Sequence, residues 1–289
     1  MSRQGIVVSV LTMLIIGFSF LMPAPAKAAG SITELWDGHA NGINTKGQVV
    51  GQDINSGAAV MWDKGKITTL WENGAANAIN ARGQAVGQDI NSGAAVMWYK
   101  GEVTTLWEKG KAKAINNLGQ VAGILKFVWK DFVWYIPTIW YEGELKKLGL
   151  VKTGADSPVG INNEVQVVGA LATTYGWLWD EPVLQTLPFW ACDINNRGQV
   201  VGHNTTSGEA VIWDEGEVTT LWQGTAHAIN NRGQVVGQDI NSGAAVMWDK
   251  GKITTLWENG AAKAINEKGQ VAGEIYTGGN PKAVLWEKR

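Results

Sequence analysis

The side chains able to do acid–base, nucleophilic or metal chemistry are few in this 289-residue chain. It has three histidines, His39, His203 and His227, and one cysteine, Cys192. A side-chain nucleophile needs an activating base beside it. The three histidines fall at different places in the repeats described below, no Ser–His–Asp or Cys–His set recurs, and Cys192 has no fixed basic neighbour in sequence. Two stretches have the rhythm of a calcium loop: Asp193-Ile194-Asn195-Asn196-Arg197-Gly198 and Gln52-Asp53-Ile54-Asn55-Ser56-Gly57. Calcium takes about six to eight oxygens, several of them carboxylates. Most loops of the Asn-x-x-Gly kind contain no Asp or Glu, so Asn and Gly read as turn formers. Asp63, Asp249 and Glu72 also sit in turn positions. The sequence therefore predicts no catalytic residues, no metal, no cofactor and no enzymatic activity.

The elements that would carry a site are repeats. The pattern Ile-Asn-x-x-Gly-Gln-[Val/Ala]-[Val/Ala]-Gly begins at Ile43, Ile79, Ile115, Ile161, Ile194, Ile229 and Ile265. Its Asn, Gln and last Gly occur in every copy, and the middle Gly is replaced once, by Val165. A Trp closes an apolar run in each unit: Trp62, Trp98, Trp140, Trp179, Trp213, Trp248 and Trp286. Core packing between units is the role expected of these. A further run such as ITTLW (67–71) follows a turn. Each unit thus holds four short runs rich in Val, Ile, Thr and Trp, bounded by Asn and Gly, which read as strands. AAVMW is apolar at every position, as in a strand buried on both faces. Residues 51–80 and 237–266 differ at one position, Asn77 against Lys263.

Seven four-stranded repeats predict an all-β fold, a seven-bladed β-propeller. The last repeat ends at AVLWEKR (283–289) without a fourth strand, and SITELW (31–36) is a fourth strand with no repeat before it. The N-terminal strand is therefore expected to close the ring, which leaves no free edge between the chain ends. Residues 29–289 are expected to form this single domain.

Residues 1–28 read as a secretory signal peptide: Arg3, an uncharged apolar run at 6–22, then Pro and small residues ending in Ala26-Lys27-Ala28. The protein is expected to be secreted or in the cell envelope, and to meet a membrane only if that segment stays uncleaved. The formal charge of −2 with no basic run predicts no nucleic-acid partner. A lone cysteine allows no internal disulfide, so a large core must stabilise the chain, which is expected to be a monomer.

The pattern AIN-NRGQVVG with AVIWDEGEVTTL resembles the bacterial extracellular HAF-type repeats, across all seven units. The resemblance implies export and a propeller-like fold, and it carries no catalytic residues. The His-Ala-Phe of that family is replaced here by Ala-Ala-Val or Glu-Ala-Val.

Two features predict ligand binding. Trp36, Trp71, Trp107, Trp222 and Trp257 each end a fourth run before a polar, Gly-containing loop, and the loops of Asp53, Asp89 and Asp239 fall on the same face. Flat rings beside amides and carboxylates suit a glycan. The third unit has an insertion of about ten residues that reads as a long hairpin over 124–136, carrying Phe127, Trp129 and Trp134. An exposed aromatic cluster there would dock a partner. The first expectation is a non-enzymatic module binding extracellular or cell-surface glycans. The alternatives are a protein-interaction scaffold using that hairpin, and an enzyme with a site at the central channel.

Overall fold

The computed structural model describes residues 26–27, 29–130, 132–149, 157–171 and 175–289. The expected signal segment lies outside these residues apart from Ala26–Lys27, whose backbone runs parallel to Thr254–Thr255. Asp131, at the expected hairpin turn, and Thr173 and Thr174 also lie outside them. Among the described residues all regular structure is β, in 27 strands.

The second repeat shows the unit. Gly74–Ile79, Ala85–Asp89, Ala95–Tyr99 and Glu102–Trp107 pair antiparallel in chain order. The third unit repeats this with Gly110–Ile115, Val121–Trp129, Phe132–Tyr141 and Glu144–Lys147, and the fourth with Ser157–Ile161, Val167–Leu171, Tyr175–Asp180 and Val183–Leu187. The expectation of seven separate blades needs correction: the strands assemble into five sheets, three of four strands, one of seven and one of eight. The larger two arise because Gly30–Ile43 and Glu217–Ile229 each run unbroken from one unit into the next. The cause is the link after the fourth-run Trp. In Trp71-Glu72-Asn73-Gly74 the chain turns, with Asn73 at φ 52°. Trp36-Asp37-Gly38 and Trp222-Gln223-Gly224 are one residue shorter, and the backbone stays extended through them.

The N-terminal strand meets the C-terminal one. Residues 30–37 pair with Pro281–Lys288, placing Ser31 opposite Glu287, while 38–43 pair with Val49–Asp53. Apolar side chains from consecutive units interlock. Val50, Met61, Leu70 and Trp71 pack with Ala76, Ile79, Ala85 and Val96. Leu35, Trp36 and Val49 pack in the same way with Ala272, Ala283 and Leu285 of the last unit. Ala58, Ala59, Val60 and Met61 are all buried, as an apolar run buried on both faces requires.

Candidate functional site

The first strands of the seven repeats converge on a cavity of about 180 Å³, lined by the Ile that ends each strand and by most of the Asn residues that follow it. Its wall is a hydrogen-bonded ring. Asn44 Nδ2 donates to the carbonyl of Asn80 at 3.1 Å. Asn80 donates likewise to Asn116, Asn116 to Asn162, Asn162 to Asn195, Asn195 to Asn230 and Asn230 to Asn266. Asn266 Nδ2 reaches Asn44 O at 2.9 Å, so the chain of bonds returns to its start. Each Asn also donates to the Gln of its own repeat, as Asn44 does to Gln48 Oε1 at 2.7 Å, and its Oδ1 accepts two backbone N–H groups. The amide has no hydrogen-bonding capacity left over, which explains its presence in every copy. The middle Gly sits at positive φ, +82° at Gly47. Val165 occupies the same corner at φ 65°, a conformation a β-branched residue resists.

A second, open run of bonds follows one residue later in the repeat. Asn117 Oδ1 accepts the N–H of Ala81, Asn163 that of Asn117, Asn196 that of Asn163, Asn231 that of Asn196, and Glu267 that of Asn231. The side-chain NH₂ groups of Asn117, Asn163 and Asn196 make no hydrogen bond among the described residues, so the mouth offers amide donors to a solute.

Every first strand is bulged one turn of pleat below this mouth. The extra residue is Asn41, Asn77, Lys113, Val159, Cys192, His227 or Lys263. Bulges re-aim side chains. Asn41 and Asn77 donate to Ala76 O and Ala112 O of the following unit. His227 Nδ1 lies 2.8 Å from Ala262 O and must be the donor, which leaves Nε2 bare. Burial and the nearby Lys263 charge hold His227 neutral, down to about 4. Burial also lowers Lys113, helped by the charge of Lys111. Burial pushes the Cys192 thiol up to about 12.

Asp193 differs from its equivalents. The residue before the anchor Ile is Gly42, Ala78, Ala114, Gly160, Asp193, Ala228 and Ala264. One position in seven is thus a carboxylic acid, and it lines the cavity. Its Oδ1 accepts from Ile194 N at 2.8 Å and its Oδ2 from Ile229 N of the next unit at 3.0 Å. Gly160 makes room: a Cβ there would stand 3.1 Å from Asp193 Oδ1. Burial raises the carboxyl to about 7 against the pull of the two N–H groups. Part of the residue still opens on the cavity.

The residues expected from sequence are placed elsewhere and are not brought together. Trp36, Trp71, Trp107, Trp222 and Trp257 are between 2% and 8% exposed, in five different clusters. Each Nε1 donates to a backbone carbonyl, as Trp71 does to Gln88 O at 3.0 Å. The expected Trp-bearing glycan face is therefore corrected. The rings lie on the last Gly of the repeat motif, where a Cβ at Gly87, Gly123 or Gly273 would come within 2.8 Å of Trp71, Trp107 or Trp257. Most third-run Trp, including Trp62 and Trp98, are only half-buried. Asp53, Asp89 and Asp239 fold their own loops, accepting from Asn55 N, Asn91 N and Asn241 N. Phe127 and Trp129 are exposed and Trp134 is half-buried. Asp193 appeared in the sequence reading only as part of a calcium-like loop. Aligning the seven repeats on one another would have marked it.

No family model matches the chain, and no curated protein does. Solved structures do match. An oligogalacturonate lyase in complex with manganese is 11% identical, with a TM-score of 0.57, over 91% of this chain and 98% of that one. YCF48 bound to D1 peptide is 11% identical, with a TM-score of 0.58, over 92% and 99%. The acylaminoacyl peptidase of Pyrococcus horikoshii is 14% identical, with a TM-score of 0.59, over 83% of this chain and about half of that one, 49%. At such identities the likeness shows the fold alone, all-β and propeller-like. The expectation of a non-enzymatic binder is corrected to this extent: structures that share this fold include a lyase and a peptidase, so the fold is compatible with catalysis. Among the described residues no three His, Cys, Asp or Glu come together to hold a metal ion, so the lyase's manganese has no counterpart there.

Proposed function

We propose that the five sheets make one ring of seven four-stranded units, exported through residues 1–28, and that the ring is a proton-transfer enzyme with Asp193 as its acid–base group. The observation that carries this reading is Asp193 itself. It is the one carboxyl among seven equivalent positions, raised to about 7 by burial, and it opens on a polar cavity. A carboxyl that titrates near neutrality can both take and return a proton during turnover. Ring closure is supported by the Asn266–Asn44 bond and by the packing of the first unit on the last. The free amide donors of Asn117, Asn163 and Asn196 suit a small, oxygen-rich solute. A cavity of about 180 Å³ has the volume of roughly six waters, room for one such molecule. A sugar acid or its lactone is the class that fits, in keeping with the oligogalacturonate chemistry named for one structure of this fold.

The test is a panel of uronates, unsaturated uronates and aldonolactones, followed by ultraviolet absorbance and pH-stat. Turnover with a pH break near 7 that disappears in Asp193→Asn is the expected result. Turnover untouched by that substitution, or no turnover across the panel, would sink the proposal.

A further inference from the structure

The third repeat carries a ribbon that the other repeats lack. Val121–Trp129 and Phe132–Tyr141 pair without a break from Val121 opposite Trp140 to Trp129 opposite Phe132. Their flanking strands stop short, one at the Leu125 pair and the other at the Thr138 pair. Lys126 N–H still donates to Lys109 O at 2.9 Å, so residues 127–129 and 132–134 stand beyond the sheet as two strands alone, a projection of about 10 Å at ~3.3 Å per residue. Residues that face each other across a ladder share a side. Phe127 lies opposite Trp134 and Trp129 opposite Phe132, so one side of the ribbon is four aromatic rings. Phe127, Trp129 and Phe132 are 50%, 56% and 57% exposed. The other side carries Val128, 51% exposed, opposite Val133.

Four lysines stand around this tip, and the sequence sets one carboxylate, Asp131, between Lys130 and Phe132. Lys130 Nζ lies 4.7 Å over the Trp129 ring. Lys126, Lys109 and Lys111 line the adjoining groove of about 480 Å³, which no carboxylate lines. None of these four lysines forms an ion pair among the described residues.

We propose that this ribbon docks the protein on an anionic lipid surface. The aromatic tip enters the headgroup layer and the four lysines lie against the anionic headgroups. Apolar groups cover both sides of a narrow projection, so a protein partner would have to wrap it. A lipid layer covers every side at once. Trp and Phe flanked by Lys are the side chains that settle where hydrocarbon meets headgroup, their rings in apolar surroundings and their ammonium groups in water. Lysines near an anionic leaflet add attraction that salt screens.

The full chain would be floated with vesicles of phosphatidylcholine alone and with added phosphatidylglycerol, beside two variants. Phe127→Ser/Phe132→Ser removes the apolar tip, and Lys126→Glu/Lys130→Glu reverses the charge. Both change exposed side chains at the outer end of the ribbon, and an unchanged thermal midpoint verifies the fold. The wild type is expected to bind phosphatidylglycerol vesicles at least about tenfold more tightly than neutral ones, and more weakly as salt rises. The apolar variant should lose about tenfold or more on both kinds of vesicle. The charge variant should lose only the preference for anionic lipid. Equal binding by all three chains would assign any adhesion to another segment, such as 6–22, and overturn the proposal. So would no binding by the wild type, or a loss of self-association rather than of vesicle binding in the apolar variant.

Discussion

Replacing Asp193 by Asn separates two buried groups that oppose each other. Burial raises Asp193 from 3.8 to about 7 and lowers His227 from 6.5 to about 4. At roughly 1.4 kcal/mol per pH unit, the Asp193 shift costs up to about 4 kcal/mol once the pH passes 7, and nothing below pH 4. That figure is an upper bound, because part of the residue touches the cavity. Between these limits the folded state holds the proton that the unfolded chain has lost, so stability falls as pH rises. His227 runs the other way. Its folded form refuses a proton that the unfolded chain binds, so about 3 kcal/mol is lost as pH falls from 6.5 to 4. In the wild type the two slopes nearly cancel between pH 4 and 6.5. Asn is the shape of the protonated acid, and keeps one acceptor for the pair of N–H groups. Asp193→Asn therefore leaves His227 unopposed, and its stability should climb by about 3 kcal/mol from pH 4 to 7. His227→Asn copies what Asn41 and Asn77 do at the same bulge, donating to the next unit's carbonyl. It should show the reverse, a decline of up to about 4 kcal/mol over that range. Urea unfolding of the three chains at half-unit intervals from pH 4 to 8 measures both slopes. Three parallel curves would refute the reasoning, and so would the slopes appearing in the opposite variants.

Other substitutions test the frame around the cavity. Asn162→Ala removes donors to Gln166 Oε1 and Asn195 O and the acceptor for Glu164 N and Gln166 N, and should cost about 3 kcal/mol in the same urea assay. Gly87→Ala drives a methyl into Trp71 and the Ala75 carbonyl, and should cost about 3 kcal/mol or leave the chain insoluble. Trp71→Phe keeps a ring but strands the Gln88 carbonyl, at a cost of about 1–2 kcal/mol, with a matching fall in thermal midpoint.

The repeats were legible because they are local. Alternation, turn residues and the Asn-x-x-Gly corner act within a few residues of themselves, and the structure places strands where the runs are. Pairing of the first strand with the last was legible too, since each chain end held the piece that the other lacked. The five-sheet arrangement was not, because it turns on one residue in a link: Asn73 allows a left-handed corner, and its absence between Trp36 and Gly38 keeps the strand straight. The fourth-run Trp misled for a related reason. Their positions next to polar loops were read correctly, but burial depends on what stands across the sheet. There the invariant glycines Gly51, Gly87, Gly123 and Gly273 leave a bare surface on which the ring lies.

That pairing bears on where function can sit. At Gly51, Gly87, Gly123 and Gly273 a Trp ring and a neighbouring carbonyl fill the space a side chain would need, and the Asn spends every bond on its own corner and the next unit. Residues shared by all seven copies are thus consumed in joining one copy to another. Chemistry has to fall on positions where the frame makes no demand and where the copies have diverged. Two kinds of position meet that condition in the described residues. One is the inner strand around its bulge, where Asn, Lys, Val, Cys and His all occur and where Gly160 opens room for Asp193. The other is the hairpin of the third repeat, whose added residues pair only with each other. Near-identical copies such as 51–80 and 237–266 therefore serve as scaffold. Exchanging their only differing pair, Asn77→Lys with Lys263→Asn, tests this directly. The swap removes the Asn77 donor to Ala112 O and offers an Asn donor at position 263 instead, so the urea midpoint should move little, while a positive charge moves away from His227 and Cys192. The pH at which His227 titrates, followed by NMR of its imidazole, should then rise from about 4. An unmoved titration would show that the bulged residues do not share one space.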